Sequence, residues 1–169
     1  MPDRNKDIDV VLYLRSGIFG VIDSLVSTVG LLSGIAVSGT PRHAIIFTGI
    51  IYAFVEGFSM AVGSFLSETS AEEYETRGAG GWRPFVGGLV MLTAFILAAC
   101  IPILPYVFFP GAAALDVSIT VSILALFGLG LATAKLSKVP MLSRAARMAA
   151  LGGAAIIIGV IVGKFLKVV

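Results

Sequence analysis

The stretch PRHAIIFTGIIYAFVEGFSMAVGSFLSETSAEEYE, residues 41–75, decides the fold of this chain. Residues 45–66 form an apolar run that can cross the hydrocarbon core of a membrane, which takes about 20 helical residues. Inside the run, Glu56 and Met60 lie one helical turn apart. An acidic tail follows at Glu68, Glu72, Glu73 and Glu75, with no Gly or Pro before Gly78. The pattern predicts one helix that crosses the membrane and continues beyond it.

Composition supports this interpretation for the whole chain. Hydrophobic residues make up 57% of the 169 residues and charged residues only 13%, whereas a soluble domain has about 45 to 50% apolar residues. The net charge of +2 and the placement of charges at segment ends argue against a nucleic-acid partner. The single cysteine, Cys100, excludes an intramolecular disulfide. Since no nucleotide loop or catalytic triad is found, an enzyme is not expected.

Five apolar segments predict an all-α, polytopic membrane protein with a single transmembrane domain over residues 1–169. The spans are predicted at residues 10–37, 43–69, 85–106, 117–134 and 145–164. Pro102, Pro105 and Pro110 are expected to mark an irregular end of the third span, because proline lacks the amide hydrogen that a helix needs.

Basic residues are distributed unevenly between the two sides that five spans define. Nine of the twelve Lys and Arg residues fall on the side of the N-terminus. They are Arg4, Lys6, Arg15, Arg77, Arg83, Lys135, Lys138, Arg144 and Arg147. By the positive-inside rule, the N-terminus and the acidic tail are predicted to face the cytoplasm and the C-terminus to face outward.

Helical spacing groups polar and small residues on one face of each of the first two spans. The first face holds Ser16, Asp23, Ser27, Gly30 and Gly34, and the second holds Gly49, Glu56, Met60, Gly63 and Ser67. A charge near the bilayer centre costs about 2.5 to 3.5 kcal/mol on insertion scales. The two acidic faces are therefore predicted to face each other, or symmetry mates across a two-fold axis, with the first-span stripe at or beside that axis.

The chemistry of these side chains is that of a transition-metal site. Carboxylate and hydroxyl oxygens suit hard cations, and a thioether shifts the preference toward Fe²⁺, Mn²⁺ and their neighbours. The candidate metal ligands are Asp23, Ser27, Glu56 and Met60, and Glu68, Glu72 and Glu75 of the tail are candidates for collecting metal at the entrance. Two other interpretations stay open: the buried acids only fix helix packing, and the tail is only a solvated helix face.

The first two spans resemble those of the vacuolar iron transporter family. The resemblance rests on the run Gly-Val-Ile-Asp-Ser-Leu-Val-Ser-Thr at residues 20–28, on Phe-Ser-Met-Ala-Val-Gly at residues 58–63, and on Ser67. It implies a five-helix protomer, a homodimer with the metal path at the two-fold axis, and proton-coupled export of Fe²⁺ or Mn²⁺ from the cytosol. Asp23 and Met60 carry over as residues of that path.

The chain departs from the family pattern in three places. Ile22 and Ser24 flank the aspartate where plant-like members have Asn and Gly, and Ser64 stands where those members have an acid. Glu56 lies two turns before that position instead. Only residues 68–83 connect the second and third spans, so the inserted cytoplasmic metal-binding domain of those members is missing, and the acidic tail is its expected substitute.

Together these observations predict a divalent metal and proton antiporter. Its partners are the transported metal, protons, membrane lipid and a second copy of the chain, with no permanently bound cofactor and no nucleic acid. The predicted location is the cell membrane in a prokaryote or the vacuolar membrane in a eukaryote. Two alternatives remain: a membrane scaffold that transports nothing, and a carrier of another cation or small solute.

Overall fold

The protein is all-helical, as predicted from its apolar segments. The structure, a computed structural model, describes residues 3–76 and 81–167, with side chains at 9–74 and 81–167. The described residues form five helices: α1 (Asp3–Val37), α2 (Arg42–Thr76), α3 (Trp82–Phe108), α4 (Ala112–Ser137) and α5 (Met141–Lys167). All five are long and apolar enough to cross a membrane. The chain is thus an integral, multi-pass membrane protein.

Helix α2 is longer than the membrane requires. Its 35 residues span about 50 Å at 1.5 Å per residue, whereas the hydrocarbon core is about 30 Å thick. The helix continues without a break from the apolar run through Glu68 and Glu72 to Thr76. The predicted extension of the second helix beyond the membrane is confirmed.

Helix α3 corrects the expectation drawn from its prolines. The helix passes through Pro102 and Pro105 and ends only at Phe108, before Pro110. Pro102 and Pro105 leave the carbonyls of residues 98 and 101 without their helical donors, because proline has no amide hydrogen. At the same level, Ser118 on α4 donates a 2.7 Å hydrogen bond to the Pro102 carbonyl and joins α4 to α3. Prolines are tolerated inside membrane helices that pack against neighbouring helices.

Helix α1 forms the centre of the bundle and contacts the other four helices. Its side chains Leu25, Val29 and Leu32 are fully buried. Helix α2 packs on α1 and α3, whereas α5 packs on α1 and α4. Within the described ranges α2 and α5 do not touch each other. One side of α1 therefore remains uncovered between them.

Glycines bring α1 and α5 into backbone contact. A methyl group placed on Gly34 would lie 2.6 Å from the Gly159 carbonyl oxygen, which is too close for any real side chain. Methyl groups on Gly159 and Gly163 would collide with the carbonyls of Gly30 and Gly34. Small residues allow such close approach of membrane helices. Gly30 and Gly34 of the α1 stripe therefore pack on α5 of the same chain. Of this stripe, only Asp23 and Ser27 remain available for a two-fold interface.

Arg42 joins the N-terminal end of α2 to the C-terminal end of α3. Its guanidinium donates hydrogen bonds to the carbonyl oxygens of Tyr106 and Val107 in the last turn of α3. The last carbonyls of a helix lack partners within the helix and carry its negative dipole end, so a cation is favourable there. This contact fixes the beginning of α2 against the end of α3.

Candidate functional site

Two acidic side chains meet where α1 and α2 face each other. Asp23 lies on α1, Glu56 lies on α2, and the two carboxylates are close enough to interact electrostatically. Both side chains are half-buried. Each helix adds a hydroxyl one turn away, Ser27 on α1 and Tyr52 on α2. The structure thus places the two acids near each other, which is one of the two arrangements that the sequence leaves open.

Tyr52 belongs to this cluster although the sequence did not single it out. Its hydroxyl lies beside Ser27 and within electrostatic range of Asp23 and Glu56. Ser27 donates its proton to the Asp23 backbone carbonyl at 2.6 Å, so the lone pairs of its oxygen remain available. The only sequence pattern pointing to Tyr52 is its position one turn before Glu56. Asp23, Ser27, Tyr52 and Glu56 together are called the acidic cluster below.

Phe95 of α3 packs next to the acidic cluster and contacts both α1 and α2. This side chain is fully buried, and its ring lies 6.4 Å from that of Tyr52 at an angle of 55°. Ser24 on α1 donates a 2.7 Å hydrogen bond to the Phe95 carbonyl. Gly57 on α2 leaves room for the same ring, since a methyl group there would lie 3.3 Å from it. One residue of α3 thus sets the positions of α1 and α2 beside the cluster.

The acidic cluster offers a cation oxygen ligands from both helices. Two carboxylates and two hydroxyls are available, and all four side chains are half-buried. In the part of the chain that the structure describes, no group of three or more His, Cys, Asp and Glu side chains could hold a metal. One protomer therefore supplies two carboxylates. A second copy across the uncovered side of α1 would double that number.

Met60 lies on a separate cavity of about 570 Å³ between α1, α2 and α3. Four hydroxyls line this cavity, those of Ser16, Ser59, Ser64 and Ser67, and so do Arg15, Phe19, Gly63, Glu68 and Met91. Ser64, which replaces the acid of plant-like members, thus faces the same space as Met60. The cavity is called the entrance cavity below. Met91 contributes a second thioether that sequence periodicity did not indicate, because it belongs to α3.

The acids of the tail are engaged in contacts between helices. Glu68 forms an ion pair with Arg15 of α1. Glu72 accepts a 2.9 Å hydrogen bond from the backbone amide of Gly81, at the start of α3. The side chain of Glu75 lies outside the described residues. The structure thus places two of the three predicted tail ligands where they hold α2 to its neighbours, and metal collection by the tail stays a prediction.

A comparison with protein families gives one match that covers nearly the whole chain. The family, described as the VIT family, matches residues 14–79 and 77–164. The matched ranges include the acidic cluster, Met60 and the tail acids. The comparison with curated proteins gives no match.

Proposed function

Since the chain belongs to the VIT family and is therefore expected to be a membrane transporter of metal cations, we propose that it exports Fe²⁺ or Mn²⁺ from the cytosol in exchange for protons. The acidic cluster is the observation that carries this proposal. Asp23 and Glu56 interact with each other, and among the described side chains neither forms an ion pair with a base. A cation is the partner that this pair lacks.

Two neighbouring carboxylates away from bulk water cannot both remain ionised without a counter-charge. Either a metal ion or protons must neutralise them, and the two occupants exclude each other. Metal arriving from the cytoplasm would displace protons, and protons arriving from the outer side would displace metal. This exclusion supplies the coupling that antiport needs. The titration of the two acids belongs to the pair rather than to either residue.

The neighbouring side chains support a transition metal as the cargo. Asp23, Glu56, Ser27 and Tyr52 offer oxygen, which Mg²⁺ and Ca²⁺ would also accept. Met60 adds a thioether on the entrance cavity, and sulfur favours softer cations over Mg²⁺ and Ca²⁺. Fe²⁺ and Mn²⁺ accept both kinds of ligand.

The arrangement of helices also supports a dimeric path. Helix α1 is uncovered between α2 and α5 at the level of Asp23, where a half-buried acid would otherwise face lipid. A second protomer packed there would bring two copies of the acidic cluster together. The positive-inside rule orients this path with Glu68 and the N-terminus in the cytoplasm.

The proposal is tested with purified protein in liposomes that contain a metal-sensitive dye and a pH-sensitive dye. Addition of Fe²⁺ or Mn²⁺ on the cytoplasmic side should produce metal uptake together with proton movement in the opposite direction. Metal movement without proton movement would indicate uniport and would contradict the proposed exchange for protons. A membrane scaffold would give no flux above that of empty liposomes.

The same assay separates a metal transporter from a carrier of another cation. Co²⁺, Zn²⁺, Mg²⁺, Ca²⁺, Na⁺ and K⁺ are added singly as competitors at increasing concentrations. Competition by Co²⁺ or Zn²⁺ and weak competition by Mg²⁺ and Ca²⁺ are expected, because only the first two accept a thioether readily. Strong competition by a monovalent ion would identify a different cargo.

A further inference from the structure

An ion pair lies at the entrance cavity, near the helix ends that the positive-inside rule assigns to the cytoplasm. Arg15 of α1 and Glu68 of α2 form this pair, and both residues line the cavity on which Met60 lies. The two side chains are unequally exposed, at 69% for Arg15 and 20% for Glu68. The carboxylate is thus mostly buried, whereas the guanidinium is mostly exposed to water.

The position of the pair along the helices places it before the acidic cluster. Arg15 precedes Asp23 by eight residues on α1, and Glu68 follows Met60 by eight residues on the antiparallel α2. Eight residues correspond to about 12 Å along a helix. A cation that enters through this cavity therefore meets Glu68 about two turns before it reaches Met60 and Asp23.

We propose that Arg15 is a specificity-determining residue that acts as a tethered counter-cation of the entrance. When no metal is present, its guanidinium neutralises Glu68, and an entering cation has to displace it. The inference rests on the proposed function, because it assumes metal entry from the cytoplasm. A divalent ion competes with the guanidinium through its double charge, whereas a monovalent ion has no such advantage over a tethered cation of equal charge.

The chemistry of arginine suits this role. Its guanidinium stays charged at all physiological pH values and is weakly hydrated, so it can remain next to a partly buried carboxylate. It also sits on a long, flexible stem that can swing toward water while α1 stays in place. Displacement of Arg15 therefore requires movement of a side chain only.

A second ion pair of the same kind provides a matched control. Arg83 of α3 pairs with Asp9 of α1. These two residues line a neighbouring cavity together with Glu68, but they do not line the entrance cavity. Both pairs join a helix end to α1 on the cytoplasmic side. Loss of either pair should weaken packing to a similar extent, whereas only loss of the Arg15 pair should change how cations enter.

The test measures Mn²⁺ flux into liposomes for the wild type, R15Q and R83Q, each at low and at 150 mM K⁺. R15Q should lower the apparent KM for Mn²⁺ about two- to fivefold, the range expected for one partly exposed ion pair. It should also make the flux more sensitive to K⁺, since K⁺ can then occupy the free carboxylate. This added sensitivity should disappear in R15Q/E68Q, and R83Q should keep the wild-type KM.

A crosslink tests the displacement itself. In a Cys100→Ser background, a short bis-methanethiosulfonate reagent, which spans more than a direct disulfide can, should bridge R15C/E68C and block flux, and a reductant should restore flux. A substitution R15K, which keeps the charge but loses the planar fork, should lower the KM less than R15Q does.

Three results would overturn the inference. They are an unchanged or raised KM in R15Q, a lowered KM in R83Q as well, and undiminished flux through the crosslinked protein. Since each is compared with wild-type flux, they leave the proposed metal transport standing. Absence of flux in the wild type would instead contradict the proposed function.

Discussion

The hydroxyl of Tyr52 on α2 lies beside Ser27 of α1 and within electrostatic range of both membrane carboxylates. These two residues bring the helices together at the level of Asp23 and Glu56. A tyrosine in this position can hold Ser27 in place and can offer its own oxygen to a cation. It therefore links the geometry of the helix pair to the chemistry of the site.

The first prediction concerns Tyr52. Tyr52→Phe keeps the ring that packs on Phe95 and removes only the hydroxyl, so the fold should be retained. Metal flux should fall about fivefold, which corresponds to one hydrogen bond of about 1 kcal/mol. Tyr106→Phe removes a hydroxyl near the outer end of α3 and serves as the control with near wild-type flux. Equal flux in both variants would exclude Tyr52 from the site.

The second prediction concerns the two kinds of ligand. Asp23→Asn removes a group that can bind either a proton or a metal, so metal-driven proton movement should be abolished. Met60→Ala should weaken metal binding and selectivity but leave residual coupled flux, because a neutral thioether carries no proton. Paired recording of metal and pH in liposomes measures both. Near wild-type exchange by Asp23→Asn would refute the mechanism.

The third prediction concerns the acidic tail. Replacement of Glu68, Glu72 and Glu75 by Gln should raise the apparent KM and leave the maximal rate mostly intact, because the acids raise the local cation concentration. The effect should be largest at low salt, since charges are screened over about 8 Å at physiological ionic strength. An apparent KM that does not change at low salt would mean that the tail does not collect metal and is only a helix face that packs on α1 and α3.

The fourth prediction concerns the contact between α1 and α5. Gly159→Ala should destabilise the protein by more than about 1 kcal/mol, because the added methyl group collides with the Gly30 carbonyl. Gly153→Ala on the same helix meets no atom within 4 Å and should be neutral or stabilising by up to about 1 kcal/mol. Unfolding midpoints in detergent compare the two. Similar midpoints would mean that α1 and α5 are less closely packed.

The fifth prediction concerns the two-fold interface. In a Cys100→Ser background, Ser27→Cys should crosslink between protomers, because α1 is uncovered at this level. Gly30→Cys should not, since Gly30 packs against the Ala155 backbone of its own chain. Gel mobility with and without reductant distinguishes the two. Crosslinking at Gly30 but not at Ser27 would place the interface elsewhere.

The sequence predicts those features of the fold that depend on charge and on the periodicity of apolar residues. Five apolar segments specify five helices, and two membrane acids each had to avoid lipid, so the convergence of Asp23 and Glu56 followed from energetics. Periodicity identifies a helix face but not the partner that covers it. For that reason Gly30 and Gly34 were assigned to a two-fold interface, although they pack on α5.

Other features of the structure could not be predicted from the sequence, each for a different physical reason. Tyr52 is ordinary in a membrane helix and carries no charge, so its role depends on where Ser27 and Phe95 place it. The prolines of α3 predict an irregular end, whereas the helix stays regular through Pro102 and Pro105 to Phe108, because packing against neighbouring helices is not visible in the sequence. In the sequence, Arg15 contributes only to the prediction of membrane topology. Its pairing with Glu68 depends on how α1 and α2 are aligned in the fold.

The contact between Arg42 and the end of α3 fixes one end of α2, so a tilt of this helix moves mainly its other end. Residue 42 is held by backbone carbonyls, whereas the far end is held by the exchangeable contacts of Glu68 and Glu72. Over the 26 residues from 42 to 68, about 39 Å of helix, a tilt of about 5° moves the far end by about 3 Å. Spin labels should therefore report a broader distance distribution between α1 and α2 near Arg15 and Glu68 than near Val37 and Arg42. Such a motion would widen the entrance cavity while the contact of Arg42 with α3 stays in place.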